Sequence, residues 1–143
     1  MTQHVFNYAG LLISTPDCWL DITSTLDKNS PFTLAKEDGV GALQFSIGIY
    51  QSGTIPNPTA RDLLNMGLEF GSSKHLTSVF DESMVADRIH IGAVSYQWDS
   101  NFLRVWYVSD GYSVAFVTYT CDWNDVGAEV AECEDIVQRL SFG

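Results

Sequence analysis

The run from Ile89 to Cys121, followed at once by Asn124–Leu140, constrains this chain more than any other part of it. Ile89–Trp98, Phe102–Val108 and Tyr112–Cys121 read as antiparallel strands. Asp99-Ser100-Asn101 turns the first into the second, and Asp110-Gly111 is the strongest hairpin signal in the sequence. Tyr112–Cys121 is rich in β-branched and aromatic residues, which suits a central strand. Val126, Val130, Cys133, Val137 and Leu140 then recur at intervals of four and three, the apolar stripe of an amphipathic helix. Asp125 and Glu129 favour its N-terminal half and Arg139 its last turn. A helix must cover the sheet that this meander builds, so the segment predicts an α+β fold.

Upstream, Val5–Tyr8 and Leu11–Ser14 read as a hairpin turning at Ala9-Gly10. Trp19 and Leu20 return to the core, with Asp21 and Thr23 in a turn, and Phe32–Ala35 is a short strand. Val40–Tyr50 alternates cleanly, with Leu43, Phe45, Ile47 and Ile49 on one side and Ala42, Gln44, Ser46 and Gly48 on the other. Gln51-Ser52-Gly53 ends it, and a loop through Pro56 and Pro58 follows. A helix over Thr59–Phe70 has Leu63, Leu64, Gly67 and Leu68 inward. Thr59 with Asp62 makes one candidate start, Asn57 with Pro58 the other, and Gly71 suits the closing left-handed residue. Ser72–Ser78 reads as loop, Val79–Phe80 as the opening of a strand, and Glu82–Arg88 as extended. The sum is one domain over residues 1–143, a central antiparallel sheet of about six strands with a mid-chain and a C-terminal helix packed on it.

Charge narrows the function. Acidic residues outnumber basic ones 18 to 7, a net charge of −11. The bases are scattered, so phosphate contacts are not provided for, and neither nucleic acid nor an anionic membrane is expected as a partner. A basic protein is, because opposite fields speed encounter. The N-terminus has no charged lead and no long apolar run, so no secretory signal, no membrane span and a cytoplasmic location are expected. Cys18, Cys121 and Cys133 are odd in number and contain no CxxC, which suits buried thiols in a reducing compartment; a Cys18–Cys121 bridge is the alternative.

In this order the elements resemble the PsbP-like superfamily, which includes the Ran-binding Mog proteins and the bacterial DcrB-type proteins. The resembling residues are Trp19 and Asp21 after the leading hairpin, the strand Gly41–Tyr50, and the helix with Leu63 and Leu64. The hairpin Phe102–Gly111 and the ending Arg139-Leu140-Ser141-Phe142 complete them. The resemblance covers nearly the whole chain and is one of pattern. It implies a central antiparallel sheet with helices on it and a role in protein binding. Some members act as effector chaperones in bacterial type VI secretion, and small acidic domains beside secreted toxins often act as immunity proteins. No catalytic residues carry over.

The chain has no HExxH, no zinc-spaced Cys/His pair, no GxSxG, no phosphate loop and no dinucleotide glycine fingerprint. His4, His75 and His90 are far apart, and His90 reads as a core or face histidine. Asp81-Glu82, Glu37-Asp38 and Glu134-Asp135 lack the calcium-loop pattern and read as solvated surface, and Cys121 as a buried thiol. The expectation is therefore no enzyme, no metal and no cofactor.

Two surfaces remain as partner-binding candidates. Trp98, Asp99, Asp110, Tyr112, Asp122, Trp123 and Asp125 gather at the ends of the last strands, with Asp99 and Asp122 at one end and Asp110 at the other. An indole supplies buried area and the acids meet Lys or Arg on a partner. The competing reading places Trp98 and Trp123 in the core, as expected for Trp106. The second surface is an acidic stripe of Glu129, Glu132 and Asp135, which would either imitate a phosphate row or serve as plain solvent-facing charge. The expected function is a cytoplasmic immunity protein that binds and neutralises a secreted antibacterial toxin, as monomer or homodimer. The alternative is a type VI secretion chaperone for an apolar effector segment.

Overall fold

A computed structural model describes residues 3–49, 57–76 and 78–142. Tyr50, the Gln51-Ser52-Gly53 stop and the Pro56 loop lie outside the described residues. Strands β1 (Gln3–Tyr8) and β2 (Leu11–Pro16) form the expected hairpin as a separate two-stranded sheet. Ala9 and Gly10 both take positive φ (51° and 92°), the primed turn that matches strand twist. The main sheet is antiparallel and has seven strands. They are β3 (Trp19–Asp21), β4 (Phe32–Lys36), β5 (Gly41–Ile49), β6 (Ser78–Ala86), β7 (His90–Trp98), β8 (Asn101–Ser109) and β9 (Ser113–Asp122). Their order in space is β3-β4-β5-β9-β8-β7-β6, with β9 central as its composition predicts.

The α+β class and the two helices on the sheet are as expected. The strands exceed the expected number because Trp19–Asp21, expected as a return to the core ending in a turn, pairs with β4 as strand β3; Trp19 is buried as expected, but Leu20 is exposed. The ambiguous stretch around Glu82 is the edge strand β6.

Strand alternation gives the sheet two apolar faces. One carries Val94, Tyr96, Leu103 and Val105, and is covered by α1 (Ala60–Ser73) with Leu64, Leu68 and Phe70. Thr59 caps α1 in a reciprocal capping box with Asp62, which decides between the two candidate starts. Gly71 does not close the helix. It lies inside it, where an added Cβ would collide with the Tyr96 ring. His75, at φ 60°, is the left-handed residue, and the bonds Leu76 N–H to Gly71 O (2.8 Å) and His75 N–H to Ser72 O (3.1 Å) form the closing motif. Ser72 and Ser73 are thus helical and not loop.

The other face carries Phe45, Ile91, Trp106, Val117 and Tyr119, and is covered by β2 and α2 (Val130–Gln138). This helix is shorter than the expected Asn124–Leu140. Residues Trp123–Asp125 form a 3-10 turn, and Gly127 takes φ 95°, which no α-helix accommodates. Val126 is exposed and leaves the stripe, while Cys133, Val137 and Leu140 keep it. Paired bonds between Leu12 and Ser141 fasten the tail to β2. All three thiols are free: Cys121 and Cys133 are buried as expected, but Cys18 is exposed.

Candidate functional site

The tight turn from β7 to β8 places the expected cluster. Trp98 pairs with Asn101 and Asn101 with Asp122, so Asp99 and Asp122 share one end of the sheet and Asp110 lies at the other. Asp99 occupies the turn at φ 53°, a conformation that short polar side chains tolerate. Trp123 N–H donates to Ser100 O at 2.8 Å, which ties this turn to the connection between β9 and α2. Asp122 accepts from Asn124 N–H at 2.9 Å and starts the 3-10 turn. Asp99 and Asp122 are exposed, and Asp125 is half-buried.

The two indoles lie on opposite faces of the sheet. Trp98 is 53% exposed and follows Tyr96 onto the α1 face. There it lines a groove of about 330 Å³ with Phe70, Lys74, Leu76 and Leu103. Trp123 is half-buried, packs on Phe102 with ring centroids 6.3 Å apart, and lines a cleft on the α2 face. That cleft, about 520 Å³, has walls of Phe102, Trp123, Val126, Val130 and Ala131.

Its floor is a charged network that sequence reasoning missed. Arg104 is buried, yet all three guanidinium nitrogens are occupied. Nε donates to Glu134 (2.9 Å), Nη1 to Ser95 (2.7 Å) and more loosely to Asp81 (3.5 Å), and Nη2 to Ser83 (2.9 Å). The Trp106 ring lies 5.4 Å from the guanidinium carbon, and its indole donates to the other Glu134 oxygen at 2.9 Å. A signal existed. Arg104 sits between Phe102 and Trp106 on one face of a strand, and a charge there requires a carboxylate partner. Glu134 supplies it, so the Glu134-Asp135 pair is not simply solvated surface.

The acidic stripe is dispersed. Glu129 is 5% exposed, with its carboxylate on the Tyr119 hydroxyl (2.9 Å) and Val40 N–H (3.3 Å). Glu132 accepts from the buried Trp19 indole and pairs with Lys36 at 3.6 Å. Of the three, only Asp135 is exposed, paired with Arg139 at 3.1 Å. The reason is that buried phenol and indole donors need acceptors, and α2 carries them inward. At the far end of the sheet, Asp110 accepts from the backbone of Tyr112 and Ser113 and holds the turn, while Tyr112 is 62% exposed. Trp106 is fully buried, as expected.

The buried thiols are poor nucleophiles. Burial pushes the Cys133 and Cys121 thiols above their ordinary range, and Cys133 is raised further by Glu129, Glu132 and Glu134. His90 Nδ1 is bonded to Pro58 O at 3.1 Å, in keeping with a structural histidine. Among the described residues, no group of His, Cys, Asp and Glu has the arrangement to hold a metal ion. Nor is any helix among them long and apolar enough to cross a membrane.

No protein-family model and no curated protein matches the chain. Solved structures do resemble it, two of them as follows. The solution structure of cyanobacterial PsbP (CyanoP) from Synechocystis superposes with a TM-score of 0.67 at 10% identity, over 97% of this chain and 91% of that one. A crystal structure from Bacteroides thetaiotaomicron superposes with a TM-score of 0.63 at 15% identity, over 97% of this chain. The chain spans 47% of that longer protein. At such identities the likeness is one of architecture, and it agrees with the strand order and helix placement above: the chain has a PsbP-like fold.

Proposed function

We propose that this is a non-catalytic, cytoplasmic immunity protein that neutralises a secreted antibacterial toxin by binding a basic domain of it. One observation supports the reading above the others. Trp98, 53% exposed, stands beside the exposed Asp99 and close to the exposed Asp122, on a chain of net charge −11. A large rigid aromatic flanked by two exposed carboxylates is the chemistry of an interface centre that recognises Lys and Arg. Tyr112 and Asp110, at the far end, fall outside this surface, and so do Glu129 and Glu132.

The test is titration with the product of the gene directly upstream; if that gene encodes no toxin, the reading fails. Trp98→Ala weakens binding about thirtyfold or more, the size expected of an interface anchor. Asp99→Lys weakens it about tenfold and lowers the association rate most at low salt. Unchanged nanomolar binding by both variants would refute the surface.

A second reading, a chaperone for an apolar effector segment, draws on the two apolar-walled clefts. Strong binding of an environment-sensitive dye by the free protein favours it over immunity.

A further inference from the structure

The sheet ends differently at its two edges. The β3 edge is three residues long. The β6 edge is nine, and its outer side pairs with no strand among the described residues. Natural sheets shorten, bend or cover such edges, because a row of unpaired N–H and C=O groups is a template for another strand. A bulge between Val79 and Asp81 disturbs only the start of β6, and Asp81–Ala86 runs in unbroken register with Ser95–His90 of β7. The edge is also held rigid from within. Arg104 on β8 reaches across β7 to Ser83 at 2.9 Å and Asp81 at 3.5 Å.

We propose that β6 is a strand-addition site, and that its occupant is an extended segment of a partner protein carrying Lys or Arg and apolar residues. The inference rests on the reading that this protein binds basic polypeptides and supplies a mode of binding at a separate place. Charge selects the occupant. β6 carries Asp81 and Glu82 and no base, and both acids are exposed. A second copy of this chain would bring the same sign of charge to the edge, with −11 on each molecule. A basic strand is attracted where a copy is repelled. Met84, 45% exposed, and the half-buried Val85 give apolar contact to the adjoining half of the added strand, one on each face. Asp81 also lines the mouth of the α2-face cleft, so a Lys or Arg opposite it lays its aliphatic stem toward those apolar walls. Main-chain bonds would supply much of the affinity and these side-chain contacts the specificity.

The probe is the amide-capped peptide Thr-Val-Val-Thr-Lys-Lys-Thr-Lys-Thr, together with a version N-methylated at alternate residues. Both are titrated into the isotope-labelled full chain at low salt. Binding of the first slows amide exchange within Asp81–Ala86 at least tenfold, and the N-methylated version binds at least tenfold more weakly, since it keeps the side chains but loses backbone donors. Equal binding of the two peptides overturns strand addition. So does binding that leaves the β6 amides unprotected; if it perturbs residues 98–101 and 122–125 instead, binding of basic polypeptides stands while the β6 site falls. Absence of binding overturns the β6 site alone, because the toxin titration with Trp98→Ala judges the other reading independently.

Discussion

The two helices cover opposite faces of one sheet by different means. α1 comes in close because glycines make room for it. Gly92 on β7 lies against the backbone of Leu63 and Leu64, where any Cβ would collide, and Gly67 and Gly71 present bare backbone to Val94 and Tyr96. α2 docks through its apolar stripe and three carboxylates besides. Glu129, Glu132 and Glu134 meet Tyr119, Trp19, and Arg104 with Trp106, respectively. The α1 seam depends on shape, the α2 seam on matched polar groups. Overpacking breaks the first, and removal of one partner breaks the second.

The largest expected effect is at the α1 seam. Gly92→Val drives a branched side chain into helix backbone that cannot rotate away, and costs at least about 3 kcal/mol. Denaturant unfolding measures it, and a loss under 1 kcal/mol would show that α1 shifts freely on the sheet.

Next is the α2 seam. Glu134→Leu leaves the buried Arg104 without its closest carboxylate and costs about 2–3 kcal/mol, less than for a fully buried pair because Glu134 is partly exposed and the serines remain. Adding Arg104→Met recovers about half of that loss, since it removes the unpaired charge but leaves the buried Trp106 indole without its acceptor. If the double variant is as unstable as the single one, the packing of Arg104 against Trp106 outweighs its charge.

The smallest effect is a pH dependence. The Cys133 thiol is raised above its ordinary 9.0, first by burial, and the Tyr119 hydroxyl above its ordinary 10.0, first by burial and then by its bond to Glu129. Each proton is held more tightly in the folded chain than in the unfolded one. Their contribution is therefore complete below pH 9 and falls as pH rises beyond it, when the unfolded chain ionises first. Unfolding midpoints measured from pH 7 to 10.5 should decline above 9, and Cys133→Ala should flatten the first part of that decline. An unchanged slope in Cys133→Ala would assign the alkaline loss to Cys121 and the tyrosines, including Tyr96 and Tyr107 beside α1, which burial also raises.

The contrast between the seams also explains which features were legible beforehand. The capping box at Thr59, the hairpin turns and the alternation along β5 and β9 are local signals, satisfied within a few residues. The start of α2 is a local signal too: Gly127 interrupts the apparent apolar stripe that runs from Val126 to Leu140. A glycine after apolar turns commonly closes a helix, but the role of Gly71 depends on the Tyr96 ring, twenty-five residues later in the chain. The register of the β7–β8–β9 meander correctly brought Asp99 and Asp122 to one end, but the cluster drawn there split across the sheet.

The amino-acid order alone determined the α+β class, the meander and its central strand, and an acidic molecule; it narrowed the start of α1 to Thr59 or Asn57. These follow from period, turn chemistry and summed charge, which need no distant contact. Tertiary structure decided which carboxylates face water. Glu129 at the N-cap of α2, and Glu132 and Glu134 within it, look in sequence as solvated as Asp135, yet each meets a donor contributed by a strand. An acid is drawn inward only when such a donor would otherwise be buried unbonded, and that pairing exists only once the sheet has assembled.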